Sequence, residues 1–137
     1  MTLRTGIIAN LSYRDAPAAI DFLCHAFGFG RHAVHVSEDG RSIQHAQLTL
    51  GGSMIMLNSA HSNPFGMATP AETGGRVTCI LYIVLDDPDA HHDRAAAAAA
   101  EIINPPRDQD YGGRSYEARD PEGNVWSFGS YDPWAAG

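Results

Sequence analysis

Few side chains in this chain can do chemistry near neutral pH: seven histidines and two cysteines, set among sixteen carboxylates and nine arginines, with no lysine. His45 is the sharpest candidate. It stands in a run, Ser42 to Leu50, where Ala46, Leu48 and Leu50 alternate with His45, Gln47 and Thr49. An imidazole and an amide two residues apart on a strand share one face. Such a pair can hydrogen-bond a small molecule, and the imidazole can give or take a proton at neutral pH. No carboxylate stands at an obvious spacing to partner it. His91 and His92 are adjacent in a helical stretch. Neighbours on a helix point about 100° apart, so the two read as solvated positions and not as a chelating pair. Cys24 and Cys79 each lie in an apolar run. Two such thiols make neither a disulfide framework nor a zinc site, and they read as small core residues in a reducing cytoplasm.

The composition narrows the chemistry further. With 137 residues, 44% hydrophobic and 18% charged, the chain reads as one globular domain or two small modules sharing a core. The net charge of −7 argues against a nucleic-acid surface, which needs basic side chains against phosphate, and suits a cationic partner. The lack of lysine excludes lysine Schiff-base chemistry and a phosphate-loop lysine. The first residues show no basic region followed by an apolar core, so no signal peptide is expected. The longest near-apolar run, Thr78 to Leu85, is too short to cross a bilayer. The expectation is a soluble, cytoplasmic protein with neither nucleic-acid nor membrane partners.

The elements that would position these side chains come in two similar groups. Thr5 to Tyr13 reads as a strand, and Asp15 and Pro17 open a helix that Gly28 closes. Strands are predicted at Ala33 to Ser37, Ser42 to Leu50 and Ser53 to Asn58. Residues 59–76, rich in Pro, Gly, Ser and Thr, read as a linker. The pattern then restarts: a strand over Val77 to Leu85 and an alanine-rich helix over Asp89 to Ile102. Strands follow near Ile103 to Arg107, Arg114 to Arg119 and Asn124 to Tyr131.

Asp15 and Asp86 stand 71 residues apart, as do Gly52 and Gly123 and the strands that follow those glycines. One shared offset predicts a repeat. The fold class is therefore α+β: two paired β-α-β-β-β modules, residues 5–58 and 77–131, forming a cupped mixed sheet within a single domain over 1–137. Helices would cover one face of each sheet and leave the others to line a cup.

Strand alternation turns Asn10, His45, Gln47, Met54, Met56, Ile80, Tyr82, Val125, Ser127 and Gly129 toward that cup. Applying the 71-residue offset to His45 adds Tyr116 and Arg114, and turns Glu117 away. Eight of these are expected to bind a ligand: His45, Gln47, Met54, Met56, Tyr82, Arg114, Tyr116 and Ser127. No catalytic residue is assigned.

Tyr13-Arg14-Asp15, Ala19-Ile20-Asp21-Phe22-Leu23, His45-Ala46-Gln47-Leu48, Gly52-Ser53-Met54-Ile55-Met56-Leu57 and Asp120-Pro121-Glu122-Gly123-Asn124-Val125-Trp126-Ser127-Phe128 stand in the order and spacing of a known family. Over about Thr5 to Tyr131 the chain resembles the glyoxalase I, bleomycin-resistance protein and extradiol dioxygenase superfamily, the vicinal oxygen chelate proteins. The resemblance implies paired β-α-β-β-β modules, usually in a dimer. It also implies, for metal-dependent members, four ligands to a divalent ion from the first and last strands of each module. Those positions fall at Ile8, Met56, Ile80 and Ser127. They offer no imidazole, carboxylate or thiolate, so no metal or other cofactor is expected there.

The resulting expectation is a metal-free cup that binds a small organic molecule, a cationic one suiting the acidic balance, in a homodimer to which Tyr131-Asp132-Pro133-Trp134 adds contact surface. One alternative is a metal-dependent lyase, isomerase or dioxygenase with a relocated metal at His45, His35 or Gln47. Another is an interaction module whose cup is filled. The metal content of the purified protein separates the first two.

Overall fold

The computed structural model describes residues 2–61 and 64–135. The first group of elements is β1 (Ala9–Tyr13), α1 (Ala16–Phe27), β2 (Gly30–Val36), β3 (Ile43–Leu50) and β4 (Ser53–Ser59). The second is β5 (Leu81–Val84), α2 (Pro88–Ala97), β6 (Glu101–Asp108), β7 (Arg114–Arg119) and β8 (Val125–Gly129). Each group closes its own four-stranded mixed sheet, ordered β1-β4-β3-β2 and β5-β8-β7-β6. The first and last strands of each group pair in parallel, and the remaining neighbours are antiparallel. The expected fold class is the observed one.

Local chemistry accounts for the helices. Asp15 accepts from the Ala18 N–H (3.1 Å) and Asp87 from the Ala90 N–H (3.0 Å), so an aspartate satisfies an orphan amide at each helix start. The second cap is Asp87 and not Asp86, which makes the helix offset 72 residues. On α1, Ala16, Ala19, Ile20, Leu23, Ala26 and Phe27 form one buried stripe. Gly28, in the left-handed conformation (φ 86°), ends the helix by donating to the Leu23 carbonyl.

Several predicted boundaries moved. The first strand begins at Ala9, not Thr5, and the fifth at Leu81, not Val77. Within the predicted linker, Pro70–Thr73 forms a 3₁₀ turn, with Glu72 accepting from both the N–H and the hydroxyl of Thr69 (3.0 Å each). Helix α2 stops at Ala97, short of the predicted Ile102, and Ala99 takes a left-handed φ of 65°. Helix propensity loses here to tertiary pairing. Ile102 packs toward the core, while Glu101 and Ile102 pair with Arg119 and Ala118 on β7. Pro105 and Pro106 fall inside β6, where an edge strand with an irregular register tolerates them.

The modules meet through their helix sides. Phe27 on α1 packs against Trp126 (ring centroids 5.6 Å apart) and Phe128 (4.8 Å) on β8. His91 on α2 reaches across to donate to the Phe27 carbonyl (2.8 Å) and accepts a hydrogen bond from the Tyr116 hydroxyl on its other ring nitrogen. It is half-buried and structural, which corrects the expectation of a solvated position. Cys79, expected in the core, is exposed.

A buried carboxylate ties the two halves together. Asp120 accepts from the Tyr13 hydroxyl (2.6 Å), the Trp126 indole N–H (3.1 Å), the Asn124 side-chain amide (3.2 Å), and the Glu122 and Asn124 backbone N–H groups (3.0 Å each). Glu122 accepts from the Arg14 and Asp15 N–H groups (2.7 and 2.8 Å), at the start of α1. The Asp-Pro-Glu-Gly-Asn segment is thus a junction between modules. Burial and the nearby Asp120 charge hold the Tyr13 phenol well above its ordinary pKa, so it stays a donor.

Candidate functional site

Each sheet turns one face to its helix and leaves the other open. On the first open face, Asn10, Met56 and Gln47 lie side by side on β1, β4 and β3, with Met54 and Thr49 paired next to them. Gln47 donates to His45 Nε2 (3.1 Å), and His35 on β2 stands directly opposite His45 with the rings stacked 6.3 Å apart. Ser12 donates to Asn58 on the same face (2.9 Å). A cavity of about 510 Å³ opens at one end, lined by Ile8, Thr49, Ser53 and Met54 together with the N-terminal segment.

The second open face carries a different set. Tyr82, Ser127, Glu117 and Asn104 are successive partners across β5, β8, β7 and β6. Glu117 accepts from Asn104 (2.9 Å) and Ser127 (3.1 Å) and forms an ion pair with Arg107 (2.9 Å). Its side chain is only 16% exposed. A carboxylate with three donors on it is fixed in direction.

Six of the eight expected ligand-binding residues lie on these faces: His45, Gln47, Met54 and Met56 on the first, Tyr82 and Ser127 on the second. Tyr116 and Arg114 do not. Tyr116 is fully buried on the helix side, stacked on Phe128 and bonded to His91, and burial raises its phenol pKa. Arg114 forks onto Asp89 of α2 through two bonds of 2.9 Å and reaches Asp108 (3.1 Å). Glu117, expected to point away, is at the centre of the open face instead.

The reason is one residue. The turn between Leu50 and Ser53 holds two residues, whereas that between Asp120 and Asn124, which are joined N–H to carbonyl (3.0 Å), holds three. The offset between modules is therefore 71 at β4 and β8 but 70 at β3 and β7; at β1 and β5 it is 72. A slip of one residue exchanges the faces of a strand. The longer turn was the signal that could have identified Glu117. Nothing in the strand pattern pointed to Asn104 and Arg107, which flank two prolines.

Residues 7–128 match the family profile described as the Glyoxalase/Bleomycin resistance protein/Dioxygenase superfamily. The chain belongs to that superfamily. A relative, an uncharacterised protein of Mycobacterium bovis, is 35% identical over 122 residues, covering 88% of this chain and 79% of its own. Among solved structures, TioX from Micromonospora sp. ML1 superposes with a TM-score of 0.73 at 28% identity, covering 92% of this chain and 98% of that one. The fosfomycin resistance protein FosX from Mesorhizobium loti superposes at 0.67 with 15% identity, covering 98% of both, a likeness of fold.

The four positions that the resemblance assigns to metal ligands do not fit a metal here. Ile8 and Ile80 present exposed alkyl groups, Met56 a thioether beside Asn10 and Gln47, and Ser127 a hydroxyl already given to Glu117. Among the described residues no three His, Cys, Asp or Glu side chains are grouped to hold an ion.

Proposed function

We propose that this superfamily member binds a small organic cation between open sheet faces that a second copy of the chain completes, without a metal. One observation carries the reading: the open faces keep exposed apolar side chains around fixed polar groups. Ile8 and Ile80 are 47% and 56% exposed in the single chain, with Tyr82 and Val84 beside Ile80. Apolar surface of this kind favours being covered, at about 25 cal/mol per Å². Among it stand the His45–Gln47 pair and the Glu117 cluster. Mostly apolar walls with a few oriented polar groups are the usual make-up of a small-molecule site.

The roles follow from the groups. Met54, Met56 and Ile80 supply dispersion contact, His45 and Gln47 offer donors and acceptors at one end, and Ser127 orients Glu117. Glu117, already ion-paired to Arg107, offers a ligand a carboxylate acceptor of fixed direction. A homodimer also gives the sheet edges β1 and β5 a partner. The two unpaired thiols, Cys24 and Cys79, suit a reducing cytoplasm.

A thermal-shift screen of small organic cations, neutral molecules and anions, run beside metal analysis of the purified protein, tests this reading. Cations are expected to raise the melting temperature most. The His45→Ala/Gln47→Ala variant is expected to bind them at least about tenfold more weakly. Stoichiometric Ni, Zn, Mn or Fe in the parent, lost in that variant, would replace the proposal with a relocated metal centre.

A further inference from the structure

We infer that Tyr82, Tyr111 and Tyr131 form an aromatic corner, at one end of the second open face, that stacks a planar cationic ring. The inference rests on the binding reading above and narrows it to a ligand class and a subsite.

The three rings come from three separate segments, and close backbone approaches hold them. Tyr82 lies over Gly129 of the adjacent strand, where a Cβ would come within 2.6 Å of the phenol oxygen and 3.0 Å of the ring. The missing side chain lets the ring lie down on the strand. Its hydroxyl donates to the Tyr131 carbonyl (2.6 Å). Tyr131 in turn meets Tyr111 edge to face, with centroids 5.0 Å apart and planes at 83°. Tyr111 sits in the turn between β6 and β7. There Gly113 (φ 74°) approaches so closely that a Cβ would stand 2.7 Å from the Tyr131 nitrogen.

These constraints do not bury the rings: Tyr111 is 58% exposed and Tyr82 39%. Aromatic surface that is fixed yet left wet is poorly explained by packing and well explained by a ligand. The charge around it selects the ligand's sign. Asp110 and Asp132 adjoin Tyr111 and Tyr131, the whole chain carries −7, and ring faces attract cations. Burial, then the neighbouring Tyr111, raises the Tyr82 phenol pKa, so the ring stays neutral.

The test is fluorescence titration of the full chain with N-methylquinolinium and with neutral quinoline. The parent is expected to bind the cation saturably, and quinoline about fivefold more weakly. Tyr111→Leu, at an exposed position and with its fold checked by circular dichroism, is expected to lose about fivefold for the cation, and Tyr111→Phe to retain it. Failure of the parent to bind N-methylquinolinium overturns the subsite. So does unchanged affinity in Tyr111→Leu, although hits in the broader cation screen would leave the binding reading standing. A Tyr111→Leu protein that changes oligomeric mass and not affinity would make the corner an interface and overturn the inference as well.

Discussion

His91 on α2 uses both ring nitrogens, giving a hydrogen to the Phe27 carbonyl of α1 and accepting one from Tyr116 of β7. Desolvation, aided by the Arg94 charge, lowers its pKa below the ordinary histidine value, against the Phe27 bond that raises it. A protonated ring could no longer accept from Tyr116. Its stabilising contribution is therefore complete above the unfolded pKa, near 6.5, and is lost as the pH falls below that toward the lower folded value. Urea denaturation at pH 7.5 and pH 5.5 is expected to show a loss of stability that is smaller in His91→Gln. At pH 7.5 that variant itself should lose about 1–2 kcal/mol. The adjacent histidines were readable as a poor chelating pair, but the partner of the first was not. Its acceptor is a backbone carbonyl 64 residues away, which no spacing rule reaches.

At the scale of elements, the alternating and capped segments were legible because each carried its own local cause. Asp15 with Pro17, the stripe on α1 and the alternation in β3 needed no tertiary knowledge. What failed was decided between elements. The alanine run kept its helical propensity in sequence, yet the chain leaves it so that Ile102 can pack and β6 can pair. The exit falls on Ala99 at φ 65°, a conformation that costs an L-residue about 1 kcal/mol. Ala99→Gly is accordingly expected to stabilise the protein by about 0.5–1 kcal/mol, read as a higher urea midpoint at unchanged slope. The same kind of non-local choice hid Glu117, because strand alternation alone has two solutions and a turn length picks one.

For the whole molecule, the helix-side core is complete in one chain and the open sides are not. Trp126, Tyr116 and Phe27 are fully buried, while Ile80 and Val84 remain wet. Light scattering at micromolar concentration is expected to give twice the mass of one chain, and a strictly monomeric value would count against the second copy. No described helix is long and apolar enough to cross a membrane. Which side chains stand at Ile8, Met56, Ile80 and Ser127, the positions the resemblance assigns to metal ligands, could be read from the sequence, because a motif fixes which positions to inspect even where it cannot reveal the ligand.

The additional residue between Asp120 and Asn124 reaches beyond the strand it shifts. Two halves built on one plan would ordinarily display matching surfaces, and a molecule held between matching surfaces has no reason to prefer one orientation. Here the half with the shorter turn displays imidazole and amide, and the half with the longer turn displays a braced carboxylate and guanidinium. The repeated scaffold is thereby polarised. A guest lying across it would meet an imidazole and an amide at one end and an ion pair at the other, and its own head and tail would be told apart.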